Sequence, residues 1–210
     1  MSAPDWLVNL LATAMPAIAA LFVWRMVTAR TSQRPRDYAS DAFHALTALA
    51  LAGMLVNWAA TLPRAVWAVV FAAGAVAFAV RWARARSTGG SAPGRDVVNA
   101  ATAVVLVYML LAGVAPSDLS RSTAGLYVMA GMPGMIQDNT IHFPALGMVF
   151  AIAAVGYVVV MLDRVSQVGP APLSGDAARA VATPLAPRLA ECCRLFLFVT
   201  IAYAIFAKVV

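Results

Sequence analysis

The stretch DAFHALTALALAGML, Asp41 to Leu55, decides how the rest of the chain is read, because its pattern returns 55 residues later as DVVNAATAVVLVYML, Asp96 to Leu110. At that offset Asp41/Asp96, Ala45/Ala100, Thr47/Thr102, Ala48/Ala103, Leu51/Leu106, Met54/Met109 and Leu55/Leu110 are identical. Positions 41, 44, 48, 51 and 55 fall on one side of a helix, and 96, 99, 103, 106 and 110 repeat that side with Asn99 in place of His44. The pattern predicts two helices of the same direction in equivalent surroundings, a parallel internal repeat. Shared richness in Ala and Leu is the competing explanation, since only the Asp, Thr and Met pairs and one Leu pair carry information.

Composition sets the class around that repeat. Charged residues make up 11% of the chain and hydrophobic ones 62%, whereas roughly a quarter of a soluble domain is charged. With a mean hydropathy of +0.82, the sequence predicts an all-α, polytopic membrane protein. The net charge of +6 comes from 15 basic residues, all Arg except Lys208. They stand between apolar runs, where cytoplasmic loops of membrane proteins carry them, so the bilayer and not a nucleic acid is the expected partner. Cys192 and Cys193 are adjacent, which gives neither a disulfide framework nor a spaced metal motif. Their position near the cytoplasmic face predicts reduced thiols.

Six spans follow, at about 6–27, 41–59, 65–82, 97–114, 144–162 and 192–209, forming a six-transmembrane-helix bundle in a single domain. Trp6 to Trp24 has no charge, and its terminal indoles suit the two membrane interfaces. Pro16 predicts a bend in that helix, and Arg25 is expected to extend toward headgroups. Ser40 or Asp41 is the expected N-cap of the second helix and Asp96 that of the fourth. Thr61 to Arg64, with Pro63, predicts a tight turn and antiparallel neighbours. Arg64 and Arg81 are expected to reach outward from the short third span. Between the fourth and fifth spans, Ser122 to Gln137 is uncharged but contains Gly131, Pro133 and Gly134. That composition fits a reentrant or surface segment better than a seventh span.

Charge fixes the orientation. With the N-terminus outside, the inner side receives Arg25, Arg30, Arg34, Arg36, Arg81, Arg84, Arg86, Arg95, Arg164, Arg179, Arg188 and Arg194. The outer side receives Arg64, Arg121 and Lys208, so the bias is twelve against three. The expected location is the cytoplasmic membrane, with both termini outside. A seventh span would weaken the bias to nine against six.

In this orientation Met15, Met54, Met109, Met129, Met132, Met135 and Met148 lie in the outer half or outer loop, whereas Met26 and Met161 lie near the inner ends. His142 joins the outer set. Thioethers spaced by three beside an imidazole are soft ligands suited to Cu(I), so Met129, Met132, Met135, His142, Met148, Met54 and Met109 are the candidate metal ligands. Methionine is also a flexible apolar filler, and packing explains the same residues without metal. His44 lies one turn beyond Asp41, whose carboxylate could accept its ring N–H, making Asp41 and His44 a candidate polar pair at the helix end. His44 and Met54 are ten residues, about 15 Å, apart and cannot share one ion.

No P-loop, dinucleotide fingerprint or His-Glu-x-x-His pattern occurs. The opening of the second span, Asp41-Ala-Phe-His44-Ala-Leu with a later Met54, resembles a family of uncharacterised actinobacterial multi-pass integral membrane proteins. The likeness extends over the first four spans. In that family methionines follow the histidine at helical spacing. This chain has Thr47 and Leu51 there and retains Met54 alone. The resemblance implies a fold and no activity. The functional expectation is a small envelope protein that binds a soft metal such as Cu(I) at its Met-rich outer segment or assists a larger membrane assembly. A structural accessory subunit of a membrane protein complex without metal is the alternative, and a lipid-modifying membrane enzyme the third reading.

Overall fold

The computed structural model describes residues 5–31, 37–56, 59, 61–87, 94–112, 144–167 and 187–209. Six helices occupy them: α1 (Asp5–Thr31), α2 (Tyr38–Leu55), α3 (Arg64–Ser87), α4 (Gly94–Leu111), α5 (Pro144–Gln167) and α6 (Pro187–Val209). There is no strand among the described residues. Five of the helices, all but α2, are long and apolar enough to cross a membrane. The segment Ser122 to Gln137 lies outside the described residues.

Capping differs from the sequence expectation. The N-cap of α2 is Asp37, whose carboxylate accepts from the Ser40 amide at 3.4 Å. Ser40 and Asp41 therefore sit inside the first turn, leaving their side chains free to bond elsewhere. The helix stops at Leu55, because the β-branched Val56 turns extended (φ −142°, ψ 138°) while its N–H still bonds the Ala52 carbonyl. The expected continuation to residue 59 does not occur. At the start of α4, Asp96 likewise lies in the first turn and not at the cap. Pro16 lies inside α1, and the helix continues through it.

Three sequential hairpins, α1/α2, α3/α4 and α5/α6, form the main packing units, and smaller contacts of α2 with α4 and α6 and of α1 with α6 join them. Helix direction alternates along the chain. Tyr108 near the end of α4 packs on Phe150 near the start of α5 (centroids 5.1 Å), and Tyr157 of α5 packs on Phe198 of α6 (4.5 Å).

The second helix is enclosed by the others, with 12 of its 18 residues buried. A helix buried this widely needs partners on several sides, and small residues let them approach: Ala45, Ala48, Ala50 and Ala52 are all at most 5% exposed. From α1 it receives Val8, Leu11, Ala12, Met15, Ile18, Ala19 and Phe22, a single stripe at three- and four-residue spacing. From α3 it receives aromatic edges, with Phe43 meeting Phe78 at 5.2 Å and Phe71 at 6.0 Å. The outward faces carry Val69, Val76, Ile152, Val155 and Val159, each more than half exposed. Outer faces of this composition suit hydrocarbon, the reverse of a water-soluble bundle.

Candidate functional site

The buried polar side chains fall into two groups. Thr47, Thr102 and Thr200 return their hydroxyl protons to carbonyls four residues back, at 2.7–2.9 Å. Such bonds use the hydroxyl proton within its own helix, so none of these threonines offers a donor to another group. Arg25, Ser40, Asp41, His44, Asp96, Asn99 and Arg194 are also buried, and they gather at one end of the bundle. Alternating helix direction brings them together: the end of α1 and the starts of α2, α4 and α6 share that end, along with the last turns of α3.

Asp41 is the centre of this group. Its Oδ2 lies 3.8 Å from Arg25 Nε and its Oδ1 3.6 Å from an Arg194 guanidinium nitrogen, and all three side chains are at most 8% exposed. Arg194 also donates to Glu191 at 2.8 Å, and Arg95 stands 3.7 Å from the same carboxylate. A parallel arrangement serves the other first-turn acid. Asp96, 2% exposed, lies 3.4 Å from Arg81, which also donates twice to the cap residue Asp37 at 3.2 Å. Between the two sets, Asn99 donates to the Ser40 hydroxyl at 3.1 Å and ties the starts of α2 and α4 together.

Four arginines (25, 81, 95 and 194) thus face four carboxylates (37, 41, 96 and 191), and the formal charges cancel. Asp41 and Asp96 gain a second stabilisation because each lies in the first turn of its helix, where the macrodipole favours negative charge. The contacts of Asp41 and Asp96 exceed 3.3 Å and act through charge more than through directed hydrogen bonds. Consistent with that, Asp96 Oδ1 and Arg194 Nε are buried without a hydrogen-bond partner among the described residues.

His44 does not complete the expected pair with Asp41. Its Nδ1 faces the Ser40 backbone carbonyl, which can only accept, so Nδ1 carries the proton. The ring stacks on Phe22 at 5.4 Å and meets the edge of Phe43 at 5.8 Å. Two guanidiniums are stronger partners for a buried carboxylate than a neutral imidazole, and they take Asp41. Arg25 and Arg81, expected to extend toward headgroups, instead turn toward acids, as does Arg194.

The proposed metal ligands are placed as follows. Met54 and Met109 are buried in the main core, as is Met15, toward the end away from the charges, and Met148 is 40% exposed on α5. Met129, Met132, Met135 and His142 lie outside the described residues. Among the described residues no three His, Cys, Asp or Glu side chains come together as a metal site. Cys192 and Cys193 are free thiols, the first exposed and the second buried.

Sequence reasoning singled out Asp41 and His44, with Asp96 and Asn99 as their counterparts in the expected repeat, but missed Arg25 and Arg194 as partners of Asp41 and Arg81 as the partner of Asp96. The available signal was the cost of burying a carboxylate: an acid on the apolar side of a span must meet a cation, and these arginines flank neighbouring spans at the same depth.

No curated protein and no solved structure is similar to the chain. A family model described as a domain of unknown function, DUF5134, matches residues 36–208, from just before the Asp37 cap to the last turn of α6. The match takes in both first-turn acids, Arg194 and five of the six helices, and the chain accordingly belongs to the DUF5134 family.

Proposed function

We propose that this protein is a multi-pass component of the cytoplasmic membrane that assists a larger membrane assembly and performs no chemistry of its own at the Asp41–His44 end. The observation that carries this reading is α5. Its packing is concentrated on α6, and Ile152, Val155 and Val159, on one side at helical spacing, are 54–67% exposed. A rigid β-branched ridge on a peripheral helix suits docking by another transmembrane helix. An enzyme reading draws less support, because Asp41 is held between two arginines and His44 is packed between aromatic rings.

In this account all six helices cross the bilayer, with α2 as a span sheathed by protein, and α2 and α4 form a parallel repeat whose first-turn acids each meet an arginine. Arg25, Arg81, Arg84, Arg86, Arg95 and Arg194 lie toward one end, with Arg64 at the other, which supports an inner charged end and both termini outside.

Photo-crosslinking residues at positions 152, 155 and 159 in native membranes test the docking ridge. The expected result is one protein adduct of the same mass at all three positions and none at Leu10 or Val23, two exposed positions of α1. Adducts with lipid alone at every position would contradict it.

The soft-metal reading is second, favoured by the burial of Met15, Met54 and Met109 in one apolar core at the end away from the charges. Neutral thioethers in such a setting retain affinity for Cu(I). The expected outcome is stoichiometric Cu(I) held against a competing chelator and lost when Met129, Met132 and Met135 are replaced by Leu. Unchanged binding in that variant would end this reading.

A further inference from the structure

A second feature lies between α3 and α4. Ala75, Ala79 and Trp82 of α3 and Val97, Ala101 and Val104 of α4 line an open groove of about 470 Å³ with almost no polar surface. It is a shallow trough on the bundle exterior: Val97 and Val104 are 44% and 49% exposed, and Ala79 and Ala101 are exposed as well. Small side chains along its floor and a ring at one end give it the form of a slot. From Val97 to Val104 it runs seven residues, about 10 Å along the helix, which fits within one leaflet of a hydrocarbon core about 30 Å thick.

The end of the slot that holds Trp82 is also the arginine-rich end of the bundle. The Arg86 guanidinium folds back over the Trp82 ring, 5.4 Å from its centroid. Among the described residues Arg86 forms no ion pair, whereas Arg81, one turn earlier, is engaged by Asp37 and Asp96. An apolar trough lying within one leaflet, closed by an indole and topped by a cation with no carboxylate partner among the described residues, matches one chemistry: an acyl chain below and a phosphate above. We propose that the α3/α4 groove is a binding site for an anionic phospholipid, its acyl chain lying between Ala79 and Ala101 and its headgroup phosphate held by Arg86. The planar guanidinium can donate two parallel hydrogen bonds to the phosphate while its face remains on Trp82. This assignment is independent of the docking role given to α5, which lies on a different hairpin.

The test uses the full chain in phosphatidylcholine vesicles containing a minor fraction of phosphatidylglycerol. Bromines on the acyl chains of either lipid quench nearby indoles, and the difference between the parent protein and Trp82→Phe isolates the signal of Trp82. Brominated phosphatidylglycerol is expected to quench Trp82 more strongly than the same fraction of brominated phosphatidylcholine, corresponding to a preference of about fivefold for one basic contact at the membrane surface. Arg86→Gln should abolish the preference and Arg86→Lys should retain most of it. Ala79→Leu, which fills the floor of the slot, should reduce quenching by both lipids. Equal quenching by the two lipids would mean an ordinary lipid annulus and would overturn the proposal. So would absence of quenching by either, the result expected if a second copy or another helix covers the groove, or a preference that survives in Arg86→Gln.

Discussion

Asp41→Ala is expected to destabilise the bundle by about 3–5 kcal/mol, the largest loss from any single substitution, because it leaves two buried guanidiniums without their shared counter-charge. The geometry behind the figure is one carboxylate, 6% exposed, between Arg25 at 3.8 Å and Arg194 at 3.6 Å. Glu191 offers Arg194 a second partner, whereas among the described residues it is Asp41 that meets arginines from both α1 and α6. Asp41→Asn should recover part of the loss by supplying a dipole in place of a charge. The informative contrast is the triple variant in which Arg25, Asp41 and Arg194 become Met, Leu and Met. If the cluster is an ionic lock, removing all three charges together should cost far less than Asp41→Ala, since the desolvation cost of each buried charge disappears with it and Glu191, half-buried, keeps Arg95. Unfolding in mixed micelles, followed by far-ultraviolet circular dichroism, reads both results. A triple variant as damaged as Asp41→Ala would mean that these charges serve something other than each other.

Phe43→Ala should rank next, at about 3 kcal/mol, the low end of the range for removing a buried ring. Phe43 is 6% exposed and meets His44, Phe71 and Phe78 through ring edges at 5.2–6.0 Å. In a membrane the transfer contribution shrinks, because the lipid outside is as apolar as the core, and the loss comes from contacts that nothing refills. Phe43→Leu should therefore cost clearly less than Phe43→Ala, and both should weaken the attachment of the α3/α4 hairpin to α2. Thermal unfolding of the two variants in the same detergent checks the order. Equal destabilisation, or none, would mean that the ring is not the contact holding that hairpin.

The fold was readable where one long apolar run could be counted. Trp6 to Trp24 needed nothing beyond its length, whereas the shorter third and last spans also needed flanking basic side chains to extend from their ends; with the fourth and fifth spans, these make five helices long and apolar enough to cross. The second helix was harder. Its Ser40, Asp41 and His44 lower its apolarity, and only its burial by the other helices makes those residues tolerable. Cap positions were misassigned for the same reason. Ser40 and Asp41 are good capping residues in isolation, but Asp37 stands three residues earlier and takes that role, releasing Asp41 to pair across the bundle.

Of the candidate site, the sequence pattern singled out positions 41, 44, 96 and 99, and all four are buried at one end of the bundle. It could not name their partners, because Arg25 and Arg194 lie far away in sequence, and an arginine beside a span has two physically reasonable destinations, headgroup or buried acid. The closest neighbour in sequence, His44, was the natural guess for Asp41. The three-dimensional arrangement replaces it with two cations from α1 and α6, while His44 turns to the Ser40 carbonyl. The thioether pattern of Met129 to Met135 was visible in sequence and lies outside the described residues, so its role rests on the Cu(I) experiment.

The most direct measurement is a double-mutant cycle between Asp41 and Arg194, using Asp41→Ala, Arg194→Ala and the pair together. The account predicts strong coupling, about 2–3 kcal/mol, with the double variant far less damaged than the sum of the single ones. Effects that add to within about 0.5 kcal/mol would contradict it. The two groups would then act separately, and the charged end of the bundle would not be the lock that joins α2 to α6.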